Sequence, residues 1–162
     1  MILGRGEIVK RVSDGRLLES FSPECLEGSG YDLRLNRAYK LKSGGFIGVE
    51  GRGAPEILEV EFSELILKPG EYVLVETLEK VNMPSDLMAR ILPRSSVFRC
   101  GCSLMNAVVD PGFSGTLTLG LKNESGQEFK IERHAKIAQI VFEEVLGETK
   151  MYGGRYQGGK VV

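Results

Sequence analysis

The chain has 162 residues, of which 42% are hydrophobic and 27% charged, and its formal net charge at pH 7 is −1. This length suits one domain around a single hydrophobic core. The balanced charge argues against a broad nucleic-acid-binding surface, so we expect any bound polyanion to be small. Near the N-terminus, Arg5, Glu7 and Lys10 interrupt the apolar residues. The sequence therefore predicts neither a signal peptide nor a membrane span.

The three cysteines, Cys25, Cys100 and Cys102, form no repeated pair and are odd in number. This count argues against a disulfide framework, and the two thiols of Cys100 and Cys102 are too few ligands for a closed zinc site. We expect a soluble protein in a reducing cytoplasm.

The first predicted element is a short helix over residues 5–12. It places Ile8, Val9 and Val12 at helical spacing and is followed by a turn signal at residues 13–15.

Beyond this helix, the sequence consists of short segments rich in β-branched residues, separated by turn residues. This pattern is typical of an all-β sandwich or barrel. The predicted strands cover residues 31–35, 39–41, 57–60, 65–67, 72–76, 88–92, 104–109, 116–123, 129–131 and 137–144.

Three other segments are predicted not to be strands. Residues 42–56 are expected to form a loop, and residues 95–100 a short helix with Ser95 or Ser96 as its N-cap. Free N–H groups at such a helix start attract phosphate. Residues 1–150 would then form one domain, and residues 151–162, which lack apolar periodicity, a mobile C-terminal arm.

The first polar cluster with chemical potential is Arg94-Ser95-Ser96. A guanidinium beside two hydroxyls can bind phosphate oxygens through charge-assisted hydrogen bonds. Taken alone, the same residues are also consistent with a surface arginine beside an ordinary N-cap.

Other polar residues are ambiguous when taken singly. Asp110 follows an apolar segment and precedes Pro-Gly, which is the pattern of a turn initiator as much as of a catalytic acid. Asp32 begins a strand after a glycine-rich entry. His134, the only histidine, lies in a charged run and is interpreted as a solvated turn residue.

The order of these clusters resembles the ordered motifs of the trimeric dUTPases and of their relatives, the dCTP deaminases. The resemblance spans residues 28–142 and continues into the C-terminal arm. Its motifs are Gly30-Tyr31-Asp32-Leu33, Pro93-Arg94-Ser95-Ser96, Val109-Asp110-Pro111-Gly112-Phe113 with Asn123, Lys136-Ile137-Ala138-Gln139-Ile140, and the glycine-rich segment with Arg155.

The two branches of this superfamily differ at a few positions. The deaminases carry a glutamate ten residues beyond the motif aspartate, where it moves the proton for attack on cytosine C4, but here that position is Gly120. A positioned proton-transfer group contributes about 10² to 10⁴ in rate. Asn123 and Gln139 match the dUTPase form, whereas Tyr156-Gln157 resembles the deaminase terminus.

The sequence is therefore most similar to a deaminase-like, archaeal-type dUTP pyrophosphatase. Two alternatives stay open: a dCTP deaminase, alone or combined with dUTPase activity, and a nucleotide-sensing protein without turnover. The resemblance implies a distorted jelly-roll or β-clip barrel, a homotrimer with sites between subunits, dUTP as ligand, and Mg²⁺ held mainly by phosphates and waters. It implies no membrane and no nucleic-acid polymer as partner.

The resemblance also assigns roles to residues. Asp110 would activate the water that attacks the α-phosphorus of dUTP, and Asp32 would organise the arginine or metal-bound water around the phosphates. Phe113 would lie under the deoxyribose and exclude a 2′-hydroxyl, while main-chain groups of residues 104–109 would read the uracil edge. The remaining expected substrate-binding residues are Arg94, Ser95, Ser96, Asn106, Gln139, Arg155, Tyr156 and Gln157.

Overall fold

A computed structural model describes all 162 residues. The protein is mostly β, with helices α1 (Arg5–Gly15) and α2 (Ser95–Arg99) and a 3-10 turn at Pro23–Cys25. The strands are β1 (Leu18–Glu19), β2 (Tyr31–Leu41), β3 (Phe46–Ile47), β4 (Arg52–Gly53), β5 (Ile57–Val60), β6 (Glu64–Leu67), β7 (Tyr72–Asn82), β8 (Leu87–Pro93), β9 (Cys102–Met105), β10 (Val108–Val109), β11 (Ser114–Asn123), β12 (Phe129–Glu132) and β13 (Lys136–Glu144).

Nine strands form one antiparallel sheet that curls into a half-barrel. Its main path runs β10-β8-β13-β2-β7-β11-β9, with β1 on β7 and β5 on β2. The pairs β6–β12 and β3–β4 form two small additional sheets. Side chains alternate across each strand, so Leu117, Leu119 and Leu121 of β11 enter a core of 32 buried residues.

The all-β prediction is confirmed, and several strands differ in extent. Residues 31–35 and 39–41 belong to a single strand, β2, whose pairing with β7 shifts between Leu35 and Arg37. Such a bulge keeps the strand continuous while it disturbs the sequence alternation. The predicted loop over residues 42–56 contains the short β3–β4 hairpin.

One predicted strand is broken. Residues 104–109 separate into the end of β9 and the two-residue β10, which pair with different strands. At the break, the Asn106 side-chain amide donates to the carbonyl of Leu104 over 3.3 Å. The prediction of one strand here was wrong because the chain crosses from one part of the sheet to another.

The short helix predicted over residues 95–100 is present as α2, but its N-cap is Arg94. Arg94 has extended backbone angles and its side chain makes no capping hydrogen bond. Ser95 is already the first helical residue, so neither Ser95 nor Ser96 occupies the N-cap position as expected.

Helix α1 is longer than predicted, because residues 13–15 form its last turn. Arg16 then adopts left-handed angles and donates its N–H to the carbonyls of Arg11 and Val12, which ends the helix. No helix of the structure combines the length and apolarity needed to cross a membrane. His134 lies exposed in the turn between β12 and β13, with φ of 68°.

A buried ionic cluster joins strands β2 and β7. Glu79 is fully buried and accepts hydrogen bonds from the Arg34 Nε at 2.7 Å, the Arg34 N–H at 2.8 Å and the Tyr31 hydroxyl at 3.2 Å. Arg34 also donates to the Ser20 carbonyl at 2.6 Å. Burial raises the pKa of Tyr31, and the charge of Glu79 raises it further. Every partner of this carboxylate lies far from it in sequence.

Candidate active site

Asp110 lies at a tight turn that follows β10. The Phe113 N–H donates to the Asp110 carbonyl over 3.2 Å, and Gly112 has φ of 83°, a conformation that favours glycine. The turn is thus held by its backbone, and Asp110 remains exposed. Phe113, in contrast, is buried.

A cavity of about 300 Å³ opens beside this turn. Its volume is at the lower end of the range for small-molecule sites. The walls are mainly apolar, with Asp110 as the acidic group and two threonine side chains from β11. The lining residues are Leu74, Ala107, Val108, Val109, Asp110, Phe113, Thr116, Leu117, Thr118, Tyr152, Tyr156, Lys160 and Val161.

The C-terminal arm packs on the turn of its own chain. The Tyr152 N–H donates to the Pro111 carbonyl at 2.7 Å, and the Tyr152 ring meets Phe113 edge-on with ring centroids 5.5 Å apart. Gln157 accepts from the Ser114 N–H at 3.1 Å and donates to the Gly112 carbonyl at 2.9 Å. The arm therefore covers the cavity in this conformation, and its mobility stays a prediction.

A second cavity, of about 410 Å³, lies among strands β2, β8 and β13. Strand β13 pairs with both neighbours, and Gln139 lies opposite Asp32 on one side and Leu92 on the other. The start of α2 closes the cavity. Its lining residues are Glu27, Asp32, Leu92, Pro93, Arg94, Ser95, Phe98 and Gln139.

Asp32 is the buried charge of this second cavity, with 1% of its surface exposed. Its Oδ2 lies 3.2 Å from the Arg94 Nε and 3.6 Å from the Lys136 Nζ, but neither contact has hydrogen-bond geometry. Burial raises the pKa of Asp32, Arg94 opposes this shift, and the charge of Glu27 adds to it. Asp32 therefore keeps an unused acceptor.

The structure thus divides the expected site residues between two cavities. Asp32, Arg94, Ser95 and Gln139 line one of them, while Asp110, Phe113 and Tyr156 line the other. Ser96, Asn106, Arg155 and Gln157 line neither cavity, although Gln157 bonds the turn beside Asp110.

Sequence reasoning missed several residues of the arm-covered cavity, notably Thr118, Leu74 and Lys160. Thr116 and Thr118 alternate with leucines on β11, so strand periodicity could have placed both threonines on one face. No local signal marks Leu74 or Lys160, which reach the cavity through tertiary packing.

The space beside Gly120 is occupied by a neighbouring side chain, that of Tyr72. Gly120 is buried on β11 opposite Leu74, and a Cβ built on it would lie 2.6 Å from the Tyr72 hydroxyl and 2.9 Å from Cε2 of that ring. The absence of a side chain at position 120, which would suggest close approach of a ligand or of another main chain, is explained here by the Tyr72 ring. Burial raises the pKa of the Tyr72 hydroxyl.

The main chain of β11 also has a free edge at this cavity. Its pairing with β9 ends at Gly120–Met105. The Asn123 N–H donates to the Glu71 carbonyl, and the Asn123 carbonyl accepts from the Gly70 N–H. Both partners directly precede β7, so the main-chain groups of Asn123 face the β7 side. Strand alternation directs the N–H and C=O of Thr118 the opposite way, toward the break between β9 and β10.

Comparison with known proteins decides the family. A family model described as dCTP deaminase-like matches residues 2–145. The chain belongs to the dCTP deaminase-like family. It is 38% identical over 143 residues to a dCTP deaminase of Pyrococcus horikoshii, covering 88% of this chain and 85% of that protein.

Most family members similar to this chain carry the deaminase name. Six further archaeal proteins named dCTP deaminase match at 30 to 39% identity. A probable deoxyuridine 5′-triphosphate nucleotidohydrolase of Archaeoglobus fulgidus is 30% identical over 164 residues, covering 99% of this chain and 98% of that protein. These names support the deaminase alternative better than the dUTPase prediction.

Solved structures share the fold of this family member. A dCTP deaminase of Agrobacterium tumefaciens superposes with a TM-score of 0.70 at 20% identity, over 87% of this chain and 47% of that one. The chain thus spans about half of that enzyme. A mutant dUTPase of phage phi11 of S. aureus, described as coordinating a structural Mg(II) ion, superposes with a TM-score of 0.54 at 15% identity. The match covers 85% of this chain and 95% of that one.

The predicted superfamily and its dUTPase-like fold are therefore confirmed. The chain is a nucleotide-processing enzyme of the dCTP deaminase and dUTPase family.

Proposed function

We propose that this family member hydrolyses dUTP to dUMP and pyrophosphate. The observation that carries the proposal is Gly120, which has no side chain to move a proton and whose space is filled by Tyr72. Deamination of a cytosine base requires proton transfer, and losing a positioned group for it costs about 10² to 10⁴ in rate. Hydrolysis at phosphorus requires no acid at this position.

Asp110 is the proposed catalytic residue. Its carboxylate is exposed at the edge of the arm-covered cavity and can accept a proton from water. The activated water would attack the α-phosphorus in line with the departing pyrophosphate. Phe113, buried beside Asp110, would support the deoxyribose and leave no room for a 2′-hydroxyl.

The second cavity is the proposed phosphate site. Arg94 offers a guanidinium, and Ser95 and Gln139 offer neutral hydrogen-bonding groups on the same wall. Arg155, Tyr156 and Gln157 of the arm are proposed to close over the nucleotide.

The residues present fit a magnesium ion held mainly by substrate. No cluster of three or more acidic, histidine or cysteine side chains forms a protein cage for a metal. The unused Asp32 Oδ2 can instead accept a hydrogen bond from a metal-bound water. When bound to the triphosphate, Mg²⁺ would offset the charge that develops on the leaving pyrophosphate.

The break between β9 and β10 is the proposed base-reading site. Residues 104–109 border the break on one side, and the free main-chain groups of Thr118 border it on the other. Main-chain donors and acceptors can pair with the polar edge of uracil without any charged side chain.

We also propose that the site is completed in a homotrimer. The proposed phosphate residues and Asp110 line different cavities of one subunit, so neighbouring subunits would bring one set against the other. A trimeric mass in light scattering at micromolar concentration is expected. A monomer under those conditions would contradict the shared site.

The second candidate is dCTP deamination, alone or combined with dUTP hydrolysis. Its support is the name carried by most of the similar relatives. A nucleotide-sensing protein of the same fold is the third possibility from the sequence, but no structural observation favours it.

One experiment separates these candidates. The purified protein is incubated separately with dUTP and with dCTP in the presence of Mg²⁺, and pyrophosphate, ammonia and the nucleotide products are quantified. We expect dUMP and pyrophosphate from dUTP and no ammonia from dCTP. Ammonia released from dCTP would establish deamination and overturn the proposal of a dUTPase alone. Nucleotide binding without either product would indicate a sensor.

A further inference from the structure

Two buried polar side-chain atoms of the whole structure lack a hydrogen-bond partner: the Asp32 Oδ2 and the Thr118 Oγ1. Each belongs to a residue that lines one of the two cavities. No protein group bonds to the Thr118 hydroxyl, so it is available to a ligand that enters the cavity. A ligand that displaces solvent from this cavity must bond to the hydroxyl, because a buried hydroxyl left unpaired costs free energy.

The surroundings of Thr118 restrict what that ligand group can be. Thr118 lies opposite Glu76 of β7, whose carboxylate already accepts the Tyr39 hydroxyl at 2.8 Å. Leu74 and Leu117 nearby in the wall are apolar. The ligand group that reaches Thr118 must therefore be polar and carried on a largely apolar body, as is the edge of a pyrimidine ring.

We propose that the Thr118 hydroxyl binds the polar edge of the nucleotide base, alongside the main-chain groups of the same residue. This inference rests on the proposed function in that a pyrimidine nucleotide must occupy the arm-covered cavity. A hydroxyl both donates and accepts, so it can bond to a ring carbonyl or to a ring N–H. Thr118 thus contributes to base affinity and takes no part in the proton transfer assigned to Asp110.

The test is Thr118→Val, which keeps the shape of the side chain and removes its hydroxyl. Binding of dUMP to the full-length protein is measured by titration calorimetry and thermal stability by scanning calorimetry. We expect dUMP affinity to fall about three- to tenfold, as for one neutral hydrogen bond. The melting temperature of the free protein should not fall, because the lost hydroxyl had no partner. Affinity for 2-deoxyribose 5-phosphate, which lacks a base, should be unchanged.

Thr77→Val is the matched control. The Thr77 hydroxyl is buried on β7, donates to the Glu79 carbonyl at 2.8 Å and accepts from the Leu117 N–H at 2.9 Å. Its loss should lower the melting temperature and leave dUMP affinity unchanged. The two valine variants are therefore expected to have opposite effects.

Unchanged dUMP affinity in Thr118→Val would overturn the inference, and so would an equal loss for the base-free sugar phosphate. A different result would contradict the proposed function. A wild-type protein that binds dUMP through Thr118 but does not hydrolyse dUTP would contradict only the dUTPase proposal.

Discussion

Replacing Asp110 with Asn is expected to lower dUTP hydrolysis by at least about 100-fold, the low end for a lost acid or base group. The amide has the size of the carboxylate but does not take a proton from water. The turn that carries Asp110 is held by its main chain, so the substitution should preserve the fold and nucleotide binding. The measurement is steady-state pyrophosphate release, combined with calorimetric binding of a non-hydrolysable dUTP analogue.

The control for this variant is Asp14→Asn. Asp14 is an exposed acid of α1 that lines neither cavity, so its amide variant should hydrolyse dUTP like the wild type. Turnover of Asp110→Asn close to that of Asp14→Asn would remove Asp110 from the mechanism.

Replacing Arg34 with Met is expected to reduce the free energy of unfolding by about 3 to 5 kcal/mol, the cost of breaking a buried ion pair from one side. Methionine keeps the apolar stem but leaves the fully buried Glu79 without its charged partner. Denaturant unfolding at a fixed protein concentration measures the loss, since assembly would otherwise alter the midpoint.

Two companion variants identify the cause. Arg37 on the same strand forms an ion pair with Glu59 in which both side chains are exposed, so Arg37→Met should cost less than about 1 kcal/mol. The double variant Arg34→Met/Glu79→Gln should recover part of the stability, because no buried charge remains unpaired and the amide oxygen at position 79 can still accept the main-chain N–H of position 34. Equal losses in Arg34→Met and Arg37→Met would show that burial of Glu79 is not the source.

Sequence patterns located two strands almost completely. Residues 57–60 match β5, and residues 137–144 match all but the first residue of β13. Strand β7 was predicted to end at residue 76 but continues to Asn82. The charged Glu79 obscured the continuation, since its burial depends on Arg34 of another strand. The local sequence around Glu79 does not include Arg34, so it gives no sign that the carboxylate is paired.

The candidate site could be predicted from the sequence to a similar degree. Motif order located Asp110, Asp32 and Arg94, because each lies at a strand end or turn that the local sequence marks. Motif order could not show that Asp110 lies in a different cavity from Asp32 and Arg94, because this division follows from the sheet topology. The docking of the arm and the position of Tyr72 likewise arise from contacts between distant segments.

The contact between Gly120 and Tyr72 makes the two positions epistatic. A glutamate at position 120 would need the space that the tyrosine ring holds, so Gly120→Glu alone must displace a half-buried side chain. Replacing Tyr72 alone with a smaller residue would leave a cavity beside Gly120, which has no side chain to fill it. The cost of Gly120→Glu therefore depends on how far the Tyr72 ring can move aside, and a smaller residue at position 72 in the same variant removes that requirement. A directed-evolution library that seeks an acid on that strand should therefore vary the codons of both positions together.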